Sequence, residues 1–392
     1  MAVAALFGLV VAAGAALATA PDFLDRGARL SHESTASRPV APGDRPLVGL
    51  RRSLVSFYEA EVEVADQSAA TRRSAARVGL ERVLIRLSGT APLPAEPVLL
   101  EALGQPERYY DRYLFVADDR LKLFFTPSAL LELIDQAKLP LWPLRRPPAI
   151  AWLALEANGV RQIVRGGHPL ALALVAEAGR RGFEARLPLM DLRDQLRVQP
   201  AVVWGRSSLV LAEASRRYGA AAVLIGRLRH GAGLPHGAGL PHGAGGSWSG
   251  EFAYWQGSDE FTLQVNNLDL SQAGAAGAGF LASAMASHDA IPWRPTEPRS
   301  LVVGGIASPL HYGGLLRYLA GLEYLKAVVV AGLDHDRLDI EVSTRAETGR
   351  LLSLLEADGR LAGPTPGAPA NHLTWRGADL DRPLASQTVD TP

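Results

Sequence analysis

The apolar and polar positions fall into distinct blocks along the chain. Met1 to Ala20 is an unbroken apolar run without a charged side chain, and from Asp22 to Pro46 no period is visible while Pro39, Pro42 and Pro46 interrupt any regular element. This predicts an apolar leader over 1–20 and a flexible linker over 21–50. Leu54 to Val64 then ends in strict alternation, with Ala60, Val62 and Val64 set against Glu59, Glu61 and Glu63, the mark of a half-buried strand. A helix capped by Asp66 is expected to run through Leu87, with Leu80, Val83, Leu84 and Leu87 inward, Arg72, Arg73 and Arg77 outward, and Gly89 as the stop. Leu121–Phe125 reads as a strand, and Thr126-Pro127 as the cap and first turn of a helix reaching about Lys138. The alternation predicts a small N-terminal α/β domain over 51–144.

Ala149 to Leu155 is apolar throughout, as in a strand buried on both faces. Pro169–Arg181 reads as a helix stopped by Gly182, followed by a strand through Phe183, Ala185 and Leu187. The same order recurs as a helix over Ser207–Tyr218, Gly219 as stop, and a strand over Ala221–Ile225. A parallel sheet covered by helices follows, a Rossmann-like three-layer domain over 145–296. It includes an antiparallel hairpin from Ser247–Trp255 and Glu260–Val265. Between them His-Gly-Ala-Gly-Leu-Pro begins at His230, His236 and His242, a His-Gly-rich repeat loop over 230–246 that buries too little apolar surface to order itself. The last block reads strand (Leu301–Ile306), helix from Ser308-Pro309, buried strand (Ala327–Leu333), turn at Asp334-His335-Asp336, strand (Leu338–Val342), helix (Ala346–Asp358) and strand (Leu373–Trp375). That order predicts a ferredoxin-like βαββαβ domain over 297–377 with a disordered tail over 378–392. The fold class expected is α/β and α+β.

Composition narrows the function classes. With 392 residues, 48% hydrophobic and 20% charged, the chain has ample material for several cores. Forty basic residues balance forty acidic ones and no cationic stripe stands out, so no nucleic-acid partner is expected. The absence of cysteine removes disulfides, thiolate nucleophiles and cysteine-based metal sites. Ala18-Thr19-Ala20 closes the leader with a small-x-small arrangement, which predicts a signal peptide or membrane anchor and a periplasmic or inner-membrane-anchored protein facing the periplasm. Membrane contact is expected only through residues 1–20.

Several phrases carry a resemblance. Phe57 to Ser68, the helix end Val83-Leu84-Ile85-Arg86-Leu87-Ser88-Gly89, Leu139-Pro140-Leu141-Trp142-Pro143, Arg146-Pro147 leading into Trp152-Leu153-Ala154, and Ser215-Arg216-Arg217-Tyr218-Gly219 before Val223 to Arg227 resemble an uncharacterised bacterial family, domain of unknown function 2066 (DUF2066), over about residues 53–358. The resemblance implies an exported bacterial protein and implies no activity, cofactor or catalytic residue. The middle block also resembles, at the level of layers, Rossmann-like modules of periplasmic accessory proteins, a likeness that transfers no function by itself.

Motifs for chemistry are sparse. Gly304-Gly305 and Gly313-Gly314 lack the spacing of phosphate loops, Ser207-Ser208 makes no nucleophile elbow and reads as a helix cap, and Asp118-Asp119 reads as a turn. His230, His236 and His242 are weak metal candidates, since a glycine-rich frame offers no rigid second shell. Trp248, Tyr254 and Trp255 form a candidate interaction surface, with packing over a sheet edge as the equal alternative. The expectation is therefore a protein with no catalytic residue and no cofactor: a non-enzymatic accessory or protein-interaction protein of the cell envelope whose partner is another envelope protein. The alternative is a periplasmic small-ligand or glycan binding module. A hydrolase without a recognisable motif comes third.

Overall fold

A computed structural model describes residues 57–231, 246–256, 259–364 and 367–377. The predicted leader, linker and tail, and His236 and His242 of the repeat, lie outside the described residues. The described chain is mixed α/β with three sheets and ten helices. It divides into two compact units, one holding Arg146–Met285 and the other joining Phe57–Arg145 to the chain from Ala286 onward. Where the sequence predicts three consecutive domains, the first and last blocks share one core and the middle block is inserted between them.

The two-segment unit begins with β1 (Glu59–Glu63), whose glutamates face water while Ala60 and Val62 are buried. Helix α1 (Ala69–Ser88) starts at Ser68, whose hydroxyl accepts from the Thr71 amide at 3.2 Å. Asp66 is not the cap predicted for it; it sits two residues ahead and accepts from the Ser68 amide at 2.7 Å. Gly89 ends α1 with φ +72, and a Cβ there would stand 2.2 Å from the Ala286 Cβ, so both backbone and space demand glycine. Helix α2 (Pro97–Gly104), strands β2 (Tyr110–Ala117) and β3 (Arg120–Phe125) and helix α3 (Pro127–Gln136) complete the segment. The sheet order is β1-β3-β2 and every pairing is antiparallel, because β2 and β3 form a hairpin rather than a crossover. Buried Arg86 donates to the carbonyls of Phe57 (3.2 Å) and Glu59 (2.8 Å) and so holds the start of β1.

The inserted middle unit is built on β4 (Ala149–Ala157), buried at all nine positions as a strand covered on both faces must be. It pairs in parallel with β6 (Ala185–Arg186) and β7 (Ala222–His230) and antiparallel with β5 (Val160–Ile163). Strands β8 (Trp248–Gln256) and β9 (Asp259–Leu268) extend the sheet antiparallel, leaving β9 at the edge. Helices α4 (Pro169–Arg181) and α8 (Leu270–Asp289) cover the face that carries Leu153 and Phe252. Helices α5 (Leu192–Arg197), α6 (Pro200–Trp204) and α7 (Ser208–Ser215) contribute to a core with Ile150, Trp152, Ala154 and Ile225 on the other face. Buried Trp152 donates its indole N–H to Ser215 at 3.0 Å, so the one polar atom of that side chain is satisfied. Besides the antiparallel hairpin expected from the sequence, β5 adds a further antiparallel strand, so the sheet is mixed.

After α8 the chain returns to the two-segment unit with β10 (Glu297–Gly304), α9 (Pro309–Ala320), β11 (Leu325–Asp334), β12 (Arg337–Thr344), α10 (Thr348–Glu356), β13 (Leu361–Ala362) and β14 (His372–Trp375), in the sheet order β11-β12-β10-β14-β13. Ser308 caps α9, as its position before Pro309 predicts. In the expected βαββαβ order each helical crossover restores the chain direction, so the last strand would run like β12 and oppose β10. Instead β13 takes that direction, and the chain doubles back so that β14 inserts beside β10 in parallel.

Candidate functional site

Strand β11 lies at an edge of its sheet and, among the described residues, pairs only with β12, so one row of its backbone N–H and C=O groups has no ladder partner there. It reads Leu-Lys-Ala-Val-Val-Val-Ala-Gly-Leu-Asp, and along it Val329 is 57% and Leu333 59% exposed. Bulges at Lys326 and Ala331 leave Ala327–Val330 as a regular run whose free side faces solvent. Long apolar edges are a template for another strand, and proteins ordinarily blunt them with charge. Here charge stands only at the ends, with Lys326 bonded to Asp135 at 2.5 Å and Asp334 to His335 at 2.6 Å.

Asp135, on α3, is also the centre of a cleft of about 290 Å³ in the same unit, lined by Leu131, Leu141, Ile291, Tyr324, Lys326 and Arg345 among others. Burial opposes ionisation of the Asp135 carboxyl, but Lys326, Arg345 at 3.5 Å and the Trp293 indole N–H at 3.2 Å outweigh it and hold its pKa below the ordinary carboxylate value. Arg345, with a side chain only 9% exposed, also donates to the Leu139 carbonyl at 3.4 Å. Asp135 is thereby matched by cations, while Glu132 and Glu323 add further carboxylates to the cleft wall. Its charges join the N-terminal segment to the C-terminal one, as does the Leu141–Ile291 bridge.

A second cleft, of about 360 Å³, opens in the middle unit between β5 and the start of α4 and is lined by Arg165, Gly167 and His168. His168 uses Nδ1 to accept the Leu170 amide at 3.3 Å and thus serves as the helix cap. Beside α6, on the face that carries Trp152 and Ile225, a ladder of charge crosses the strands. Glu156 receives Arg161 and Arg229, each at 2.6 Å, with both guanidinium groups over the Trp204 ring, and Glu251 receives Arg227 at 2.9 Å and Arg206 at 3.2 Å.

The residues singled out by sequence are mostly packed. Trp248 is fully buried and Tyr254 is 5% exposed, so these two rings belong to the sheet's core and not to a presented surface; Trp255 is half-buried against the Trp152 core. Alternation along β8 sends Trp248 and Tyr254 to one face and Trp255 to the other. His230 stacks edge-on to Trp248 at 4.9 Å between ring centres and places Nδ1 2.7 Å from the Gly231 carbonyl. Among the described residues no group of three or more His, Asp or Glu side chains is gathered to hold a metal. His335 takes φ +55 in the turn between β11 and β12, and Asp119 lies in the turn between β2 and β3, its carbonyl accepting from the Val64 amide. Ser207 occupies the cap position of α7 without making a side-chain cap bond. Sequence reasoning passed over the β11 edge as a surface, Asp135 and the buried Asp194. Neither carboxylate stands out in its polar neighbourhood, Asp135 beside Glu132 and Lys138 and Asp194 beside Asp191 and Arg193, and only tertiary neighbours identify their partners.

Among protein families, Domain of unknown function (DUF8605) matches residues 53–143. This corrects the expected kinship: the N-terminal phrases are similar to that family and not to DUF2066, and the match ends before the middle unit begins. No curated protein and no solved structure matches the chain.

Proposed function

We propose that this chain is a non-catalytic accessory protein of the cell envelope that holds an extended segment of another envelope protein by strand addition at β11. The observation that carries the reading is the apolar free edge at Ala327–Val330, with Val329 and Leu333 more than half exposed. A strand laid against this edge would complete the unpaired backbone row and cover those side chains, the means by which sheet edges recognise peptides. The apolar leader supports an address in the periplasm or on the inner membrane, and no helix among the described residues is long and apolar enough to cross a membrane. In this reading the middle unit is a Rossmann-like layer used as a scaffold, and β10 to β14 are a ferredoxin-like unit altered by the insertion of β14. The test is affinity capture from envelope fractions with the wild type and with Val330→Lys. A discrete envelope protein retained by the wild type and lost by the variant is the expected result. Recovery of the chain from cytosol, with identical captures by both proteins, would overturn the proposal.

A second reading, a small-ligand or glycan module, is favoured only by the cleft around Asp135, whose apolar walls carry Arg345, Lys326 and Tyr324. A thermal shift of at least several degrees with a glycan or zwitterionic amino-acid library, abolished by Arg345→Met, would select it.

A further inference from the structure

Helix α5 is turned inside out. At about 100° per residue, Asp194 stands about 200° from both Leu192 and Leu196. The carboxylate is the side that faces inward, 2% exposed, while the two leucines are 71% and 73% exposed. Hydrogen bonds lock this orientation. Asp194 accepts from the Met190 amide at 3.0 Å and from the Tyr218 hydroxyl, and it pairs with Arg217 at 3.2 Å, while Arg217 also binds Asp191 at 2.6 Å. The same tyrosine hydroxyl receives the Leu189 amide at 3.0 Å, fixing a third leucine that is 66% exposed. Helix α7 adds Leu209, 68% exposed, and its Glu213 meets Arg197 at 3.8 Å and Arg216 at 2.6 Å, tying the two helices together. Three leucines are thus held in water by polar bonds to the buried Asp194 and to Tyr218, and Leu209 on α7 adds a fourth exposed one.

The charge beside them identifies the occupant. Arg193 and Arg197 form an exposed stripe along α5 next to the leucines; Arg197 and Arg216 share Glu213, and Arg217 is matched by Asp191 and Asp194, so four guanidinium groups stand against three carboxylates and the surface keeps a cationic excess beside its leucines. A peptide-binding groove would engage anchors along one long helix. These leucines instead come from a loop, a helix of six residues and a second short helix, and so spread over an area. We propose that this face of the middle unit docks on an anionic lipid bilayer, with the leucines entering the headgroup boundary and the guanidinium groups spread over lipid phosphates. This is a membrane contact separate from the apolar leader, and it does not depend on β11.

The absence of cysteine provides the experiment. A single cysteine introduced in the full chain as Leu196→Cys is labelled with an environment-sensitive fluorophore, and Ser353→Cys, exposed on α10, serves as the control. With phosphatidylglycerol-containing vesicles, the label at 196 is expected to brighten severalfold and shift to the blue while that at 353 stays unchanged. Adding Arg193→Glu and Arg197→Glu should weaken vesicle affinity by at least about thirtyfold, since each basic residue lost near an anionic surface removes about fivefold and the new carboxylates add repulsion. Thermal midpoints equal to the wild type show that the variants fold. The proposal is overturned if the chain floats with vesicles while the label at 196 stays wet, because the leader alone then binds. It is equally overturned if neutral phosphatidylcholine vesicles give the same response, or if brightening follows protein concentration without vesicles, which would mark a second copy of the chain as the occupant.

Discussion

Gly274 and Gly277 decide how closely α8 approaches its neighbours. A Cβ on Gly274 would lie 2.4 Å from the Leu170 carbonyl oxygen, and one on Gly277 would lie 2.6 Å from the Phe252 ring. Backbone cannot yield as a side chain can, so Gly274→Ala is expected to destabilise the middle unit by about 1–3 kcal/mol, read as a lower midpoint in urea, despite alanine's better helix propensity. The ion pair of Asp191 makes a separate prediction. Its carboxyl is held down to about 2 by the hydrogen bond from Arg217, with the Asp194 amide adding to it. A depressed carboxylate contributes stability above its unfolded pKa and loses it as pH falls through the folded one. The wild type should therefore lose stability between about pH 4 and pH 2 more steeply than Arg217→Met, with thermal midpoints measured across that range as the check. These glycines were invisible as packing determinants in the sequence, where Ala-Gly-Ala-Ala-Gly-Ala-Gly shows no apolar stripe; the whole of α8 was accordingly not anticipated.

At the scale of elements, the sequence is legible where burial is two-sided or capping is local. The apolar run of β4, the Gly89 and Gly182 stops, the Ser308 cap and the β8–β9 hairpin stand where their residues put them. Directions and partners were less legible, because they depend on which strands meet. The hairpin of β2 and β3 makes the first sheet antiparallel, and β13 reverses β14, neither of which a local pattern encodes. The candidate surface shows the same division: Trp248 and Tyr254 carry the composition of an interface yet fill a core, while β11, read from sequence as a buried strand, is an edge. On an exposed edge, a charge costs little. Val330→Lys, 36% exposed in the wild type, should change stability by less than about 1 kcal/mol in chemical denaturation while removing strand capture.

At the scale of the whole molecule, one unit is assembled from the two ends of the described chain, and Asp135 is among the charges that join them. Removing that carboxylate leaves Arg345, already costly to bury, without its counter-ion. Asp135→Ala should therefore cost about 2 kcal/mol. Hydrogen exchange should show the amides of β1, β3, β10 and β12 losing protection together, with those of β4 and β7 unchanged. The central claim, that the free edge of β11 holds another protein's strand, is tested most directly by a photo-crosslinking residue at Val329 in intact cells, with a matching one at Ser353. A discrete crosslinked envelope protein from position 329, absent from 353 and lost when Val330→Lys is added, is the predicted result. Position 329 that crosslinks nothing, or yields the same products as 353, would contradict it.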